Sequence, residues 1–174
     1  ALAALTDADE RVRGAAIRFV ADLGGPDVAR QLAARTADPD AAVRAGAARA
    51  LGGMRQGNVT ADLRPLLADP EPAVRAAAAE AAGEAGAAAL GDELIPLLHD
   101  PSPDVGTAAA RSLGRIGTAG AVPALVRAFT GCGPAFREAI VTVVGRFDPP
   151  RIRELIEILA AGRDTASKRA LIRT

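Results

Sequence analysis

The chain has 174 residues, 49% of them hydrophobic and only 2% aromatic, and its 21 basic and 21 acidic side chains cancel to zero net charge. The single cysteine, Cys132, excludes an internal disulfide and favours a cytoplasmic location. The longest apolar runs are alanine interrupted by Glu and Gly, which are too weakly hydrophobic to span a bilayer.

A 31-residue repeat organises the whole chain. The segment Asp38–Arg44 recurs as Asp69–Arg75, and five apolar residues keep the same spacing: Val12, Val43, Val74, Val105 and Phe136. A fixed period of this length is typical of repeat arrays, whose units cannot bury their apolar faces alone. We therefore predict one array, with units near residues 1–24, 25–55, 56–86, 87–117, 118–148 and 149–174.

Each unit is predicted to contain two helices. The first helix spans about 27–37 in the second unit, 60–68 in the third and 90–99 in the fourth, where leucines recur at helical spacing. Pro65 and Pro96 occupy equivalent positions in this helix. Because proline removes a backbone donor and clashes with the preceding turn, we expect a bend or a late helix start.

The second helix begins with a cap signal at Asp9, Asp40, Glu71, Ser102, Gly133 and Asp164, followed in three units by proline. Glycines in register predict its end near Gly52, Gly83, Gly114 and Gly145. In the first unit the predicted buried stripe is Val12, Ala16, Phe19, Val20 and Leu23. In the third it shrinks to Val74, Ala78, Ala81, Ala82 and Ala85.

The pattern from Asp38 to Gly52 resembles HEAT repeats, in particular the short HEAT-like repeats of the phycobilisome lyase type. The resemblance covers essentially the whole chain. It implies an all-α fold, an α-α superhelix or solenoid of about six helix pairs, with second helices lining the concave side. It also implies an Asp–Arg ladder along the stack: Asp7, Arg13, Asp38, Arg44, Asp69, Arg75, Asp100 and Arg137. Gly106 interrupts this ladder, so we expect Arg137 to reach back toward Asp100.

Both ends of the chain align with the middle of a helix, and we interpret the chain as a fragment of a longer protein. Leu2 and Leu5 at one end, and Leu171 and Ile172 at the other, would then expose apolar stacking surfaces. Residues 1–104 contain 10 basic and 16 acidic residues, whereas residues 105–174 contain 11 basic and 5 acidic residues. Weak head-to-tail self-association is therefore predicted. The charge asymmetry fits either an acidic partner at the basic end or drift in solvated charge.

Residues for catalysis or metal binding are sparse. His99, the only histidine, lies at a predicted helix end, and Cys132 lies in a turn far from it. The iron-binding His-Glu pairs of the HEAT-like deoxyhypusine hydroxylases do not occur in the sequence. We predict no catalytic residue, no metal and no cofactor.

One set of charged positions is a candidate binding surface. On the second helices, opposite the apolar stripe, a mostly basic ridge is predicted, interrupted by Asp22, Glu80, Glu84 and Thr142. Its arginines are Arg18, Arg49, Arg111, Arg115, Arg146, Arg169 and Arg173. Arginine pairs bidentately with carboxylates and is enriched in binding hot spots. A merely solvated helix face explains the same pattern equally well.

The favoured functional hypothesis is a non-enzymatic scaffold of bacterial origin that holds another protein, or a neighbouring domain of the parent chain, on its concave face. The first alternative is a phycobilisome-lyase-like chromophore lyase subunit, implied by the resemblance. The second is nucleic-acid binding through the basic C-terminal half, which zero net charge and the absence of Trp and Tyr disfavour.

Overall fold

The computed structural model describes residues 4, 7, 9–54, 59–117, 120–129, 136, 139, 140, 142 and 143. These residues contain α-helices and short 3-10 helices but no strand. The helices are α1 (Glu10–Leu23), α2 (Pro26–Arg35), α3 (Ala41–Gly53), α4 (Thr60–Leu63), α5 (Pro72–Glu84), α6 (Gly91–Leu97), α7 (Pro103–Ile116) and α8 (Ala121–Phe129).

The second helices of successive units pack side by side. Helix α1 contacts α3, α3 contacts α5, and α5 contacts α7, while α2 and α6 pack against the second helices of their own units. Each unit is thus buried by its neighbours along the chain, as in a solenoid. The predicted all-α superhelical fold class is confirmed.

The core combines leucines from the first helices with alanines from the second helices. Leu32, Leu63, Leu94 and Leu125 occupy one register position in four successive units, and each is 0% exposed. The same core contains small side chains of the second helices, including fully buried Ala78. Small residues bury little area each but allow helices to approach closely.

The first helices are short. In the third unit α4 ends at Leu63, and Pro65 begins a 3-10 helix, Pro65–Ala68. The helix is thus interrupted at the proline where a bend or a late helix start was expected. In the fourth unit α6 begins at Gly91, after a 3-10 turn, and accommodates Pro96 near its C-terminal end.

Three glycines near the ends of the second helices contact the next unit. Helices α3, α5 and α7 end at Gly53, Glu84 and Ile116, so the predicted ends near Gly52, Gly83 and Gly114 are confirmed. None of these three glycines has a positive φ, so they do not act as left-handed helix caps. A Cβ on Gly52 would lie 2.5 Å from Ala81 Cα, and a Cβ on Gly83 would lie 2.5 Å from Ser112 Oγ. A Cβ on Gly114 would overlap the side chain of Val143. These glycines therefore allow each second helix to touch the next.

The second helices begin at the predicted cap residues, but the caps differ in chemistry. The side chains of Asp9 and Asp40 accept hydrogen bonds from Arg11 N and Ala42 N, both at 2.8 Å. Glu71 and Ser102 occupy the cap position without a side-chain cap bond, and proline follows each of them. A proline at the first helical position has no backbone N–H, so one fewer donor at this helix end needs an acceptor.

The predicted apolar stripe of α1 is only partly buried. Ala16 and Val20 are buried, but Val12, Phe19 and Leu23 are 41%, 56% and 59% exposed, so the prediction was wrong for these three. In later units the positions equivalent to Phe19 pack against the second helix of the preceding unit, as Ala81 does against Gly52. No described element covers the corresponding face of α1. Leu2, Leu5, Leu171 and Ile172 lie outside the described residues.

Candidate functional site

Two arginines of the second helices connect neighbouring units. Arg44 donates from Nε to Asp69 Oδ2 at 2.7 Å and from Nη2 to Asp69 Oδ1 at 2.9 Å. Arg75 makes the same pair of bonds to Asp100, also at 2.7 and 2.9 Å. Each bidentate pair joins one unit to the next along the chain, 25 residues ahead.

The same arginines also hold the turns of their own units. Arg44 Nη1 donates to the carbonyl oxygens of Asp38 and Pro39 at 2.9 and 3.1 Å. Arg75 Nη1 donates to those of Asp69 and Pro70 at 2.7 and 3.0 Å. With these bonds the guanidinium donors are largely occupied, so the two arginines are committed to the fold and are not available to a partner.

The turn aspartates are equally well satisfied. Asp69 Oδ1 also accepts from the Glu71 N–H at 2.9 Å, and Asp100 Oδ1 from the Ser102 N–H at 2.8 Å. The hydrogen bonds from Arg44 hold the pKa of Asp69 below its ordinary value, against the opposing effect of burial. Arg75 lowers the pKa of Asp100 in the same way. Both carboxylates are therefore charged at neutral pH.

The remaining ladder residues are less defined. Asp7 is exposed, and its Oδ1 accepts from the Asp9 N–H at 2.9 Å. The side chain of Arg13 and all of Arg137 lie outside the described residues. In the described units the ladder runs from each arginine to the next turn aspartate, and both oxygens of Asp100 are occupied by Arg75.

The predicted ridge contains two inter-unit ion pairs. Arg49 Nε lies 3.7 Å from Glu80 Oε2, and Arg115 Nη1 lies 4.0 Å from Glu84 Oε1. All four side chains are between 41% and 49% exposed. The acidic residues of the third unit thus partly neutralise arginines on both sides. Exposed pairs of this length contribute little to stability.

Arg111 differs from these two arginines. It is exposed, and it forms no hydrogen bond or ion pair with any described residue. Thr142, one unit further along, is also exposed. The side chain of Arg18 and the whole of Arg146, Arg169 and Arg173 lie outside the described residues. Arg111 is therefore the ridge arginine most open to an external anion among the residues that the structure describes.

A groove of about 560 Å³ lies along the exposed faces of α5 and α7. Its uncharged lining consists of Pro72, three alanines that include Ala76 and Ala108, and the hydroxyl residues Ser102 and Thr107. Five charged side chains surround it: Arg49, Glu71, Glu80, Asp104 and Arg111. Arg49, Glu80 and Arg111 of the predicted ridge therefore line a groove of mixed charge.

The carboxylates of Glu71 and Asp104 were not predicted as binding residues. Both lie at the N-terminal ends of second helices. Acidic residues are common there because they stabilise the helix dipole, so sequence gives no signal of a second role. Only the alignment of α5 beside α7 places them in one groove with Arg111.

The described residues contain no other cluster suited to chemistry. No group of three or more His, Cys, Asp or Glu side chains among them could hold a metal ion. His99 is exposed beside the helix end, and Cys132 lies outside the described residues. None of the described helices is long and apolar enough to cross a membrane.

Comparisons with solved structures reproduce the fold. The Escherichia coli protein YibA is 20% identical and has a TM-score of 0.78, with 98% of this chain and 67% of that chain covered. A designed armadillo repeat protein in complex with the peptide (KR)4 is 16% identical, with a TM-score of 0.55 and coverage of 98% and 94%. The CpcE–CpcF complex of phycocyanin lyase from Nostoc sp. is 20% identical over 83% and 74% of the two chains, but its TM-score is only 0.43.

No curated protein sequence matches the chain. The profile of the HEAT repeats, however, matches residues 1–52, 29–90 and 60–145, which together cover most of the chain. The helix pairs, the inter-unit stacking of the second helices and this match agree with one another. The chain belongs to the HEAT repeat family.

Proposed function

We propose that this chain is a non-enzymatic interaction module that holds a partner protein on the exposed face of its second helices. The observation that carries the proposal is the groove along α5 and α7, which is lined by both small and charged side chains. Charged groups that the fold does not use, such as Arg111, are available to an external partner.

The arginines of the ladder differ from Arg111 in burial and in hydrogen bonding, and this difference supports the proposal. Arg44 and Arg75 are only 14% exposed and each makes four hydrogen bonds within the chain. Arg111 lies on the same kind of helix without such bonds to described residues. The fold therefore requires Arg44 and Arg75, whereas Arg111 is available for binding a partner.

The relative that resembles this chain and carries a peptide ligand adds modest support. The designed armadillo repeat protein is in complex with the peptide (KR)4, so a repeat protein of similar fold can hold a peptide. For a nucleic acid the groove is less suitable, because Glu71, Glu80 and Asp104 would repel phosphates. No described feature favours a chromophore lyase. The single cysteine fits a cytoplasmic module.

Peptide and protein-fragment phage display on the immobilised full chain tests the proposal. The site variant exchanges two groove charges, Asp104→Arg with Arg111→Glu, and the control exchanges an exposed pair on α2, Asp27→Arg with Arg30→Glu. Both double variants keep the net charge, and the control side chains are 78% and 81% exposed. Far-UV circular dichroism verifies that each variant folds.

We expect selected clones to bind the wild-type chain and the α2 variant but to lose binding to the groove variant. Clones that bind all three proteins equally, or none selected above background, would contradict the proposal. Mixing the chain with a bilin and monitoring absorbance, and a salt-dependent DNA mobility shift, test the two alternative functions directly.

A further inference from the structure

The groove between α5 and α7 presents opposite charges at two separate places. Glu71 and Asp104 lie at the end formed by the N-termini of the helices, and Arg111 lies further along α7. None of these three side chains forms a hydrogen bond or ion pair with a described residue. A partner can therefore satisfy both ends at once only if it carries both charges.

The spacing of these charges can be read from the helix. Asp104 and Arg111 are seven residues apart in α7, close to two turns, so they lie on the same face. At 1.5 Å per residue their backbone positions are about 10.5 Å apart. An extended chain advances about 3.3 Å per residue, so three residues cover the same distance.

The residues that line the groove favour an extended ligand over a helical one. A bound amphipathic helix needs an apolar groove for several large side chains. Here the uncharged lining is Pro72 and alanine together with polar Ser102 and Thr107, and it contains no large apolar side chain. Uniformly acidic segments would be repelled by Glu71, Glu80 and Asp104, and uniformly basic ones by Arg49 and Arg111.

We propose that this groove binds an extended protein segment that carries a basic and an acidic side chain three positions apart. The basic side chain pairs with Glu71 and Asp104, and the acidic side chain pairs with Arg111. This inference rests on the proposed function and adds the chemistry of the partner. Because the groove charges are exposed, binding is weak for a single segment and decreases with salt.

Fluorescence anisotropy with labelled peptides tests the inference. The probe contains Arg-Ser-Gly-Glu within a Ser-Gly background, and a second probe has Glu-Ser-Gly-Arg, so that both chain directions are sampled. The comparison peptides carry Arg-Ser-Gly-Arg, Glu-Ser-Gly-Glu, or the same Arg and Glu at adjacent positions. The proteins are the wild-type chain, Arg111→Glu, and the matched control Arg30→Glu, which makes the same charge change on α2.

We expect one mixed-charge probe to bind the wild type and the control alike, and to bind Arg111→Glu about tenfold more weakly. The peptide Arg-Ser-Gly-Arg should bind Arg111→Glu better than it binds the wild type, because both of its arginines then face acidic side chains of the groove. The probe with adjacent charges should bind more weakly than the best spaced probe.

Two results would overturn the inference. If a uniformly charged peptide binds best and still depends on Arg111, the groove is an interaction site but its partner chemistry differs, and the proposed function stands. If no peptide binds, or if binding does not change in Arg111→Glu, the spacing argument fails. The proposed function is then judged by whether phage-selected clones lose binding to the groove variant.

Discussion

The close contact at Gly52 gives a stability prediction in which two effects oppose each other. Replacing a helix-interior glycine by alanine gains up to about 1 kcal/mol of helix propensity. In Gly52→Ala, however, the new methyl would lie 2.5 Å from Ala81 Cα and 2.6 Å from Ala81 Cβ. Overpacking costs about 1–3 kcal/mol, and here the contacted atom is backbone, so α5 itself must move. We expect a net loss of about 1–2 kcal/mol.

Urea or thermal denaturation followed by far-UV circular dichroism measures this change, since the chain has no Trp or Tyr for fluorescence. For a chain of this size the expected loss lowers Tm by about 2–8 °C. The matched control is Gly106→Ala, also inside a second helix, where the nearest atom would be Phe136 Cε1 at 3.4 Å. Without an overlap the propensity gain remains, so this variant should be as stable as the wild type or up to about 1 kcal/mol more stable.

The comparison between the two variants tests whether the contact with the next unit causes the loss of stability. A Gly52→Ala chain as stable as the wild type would show that helix spacing adapts without cost, and the packing argument would be wrong. Equal losses in both variants would show that the two glycines act through something other than the contact with the next unit.

Three further predictions concern the ladder and the core. Asp100→Ala removes one ladder carboxylate and should lower the free energy of unfolding by about 1–3 kcal/mol, because Arg75 loses two charge-assisted hydrogen bonds. The control is Asp62→Ala on α4, and equal losses in the two variants would contradict the reasoning. The pKa values of Asp69 and Asp100 are lowered in the folded chain, so their stabilisation is complete above the unfolded pKa of about 3.9 and is lost as the pH falls below it. Denaturation midpoints between pH 7 and pH 3 should therefore fall less in Asp69→Asn/Asp100→Asn than in the wild type, and parallel curves would refute this. Leu94→Ala should lower the free energy of unfolding by about 2–5 kcal/mol because Leu94 is 0% exposed. Phe19→Ala should lower it far less because Phe19 is 56% exposed. Similar losses in the two variants would show that α1 is covered in solution.

Much of the local structure could be predicted from the sequence because its signals are local. The 31-residue period, the leucines at helical spacing and the cap residues each act within a few positions, and they predicted the paired helices and the start of every described second helix. Pro65 likewise predicted an irregular helix in the third unit through the steric effect of its own ring, and the structure has a change from α-helix to 3-10 helix there.

The roles of individual residues within that pattern depended on tertiary structure. Glycine at a helix end and glycine at a helix contact look alike in sequence, and only the approach of α5 to α3 shows that Gly52 serves the contact. The same holds for Phe19, whose exposure depends on whether another helix lies beside α1.

The candidate site also has features that the sequence predicted and features that depended on tertiary structure. The sequence by itself determined that Arg49, Glu80 and Arg111 share one register position on successive second helices. Tertiary structure decided that Glu80 pairs with Arg49, that Arg111 is left without a described partner, and that Asp104 lies in the same groove. The physical reason is that a repeat period specifies which positions are equivalent, whereas contacts depend on how far each unit is shifted and rotated against the next.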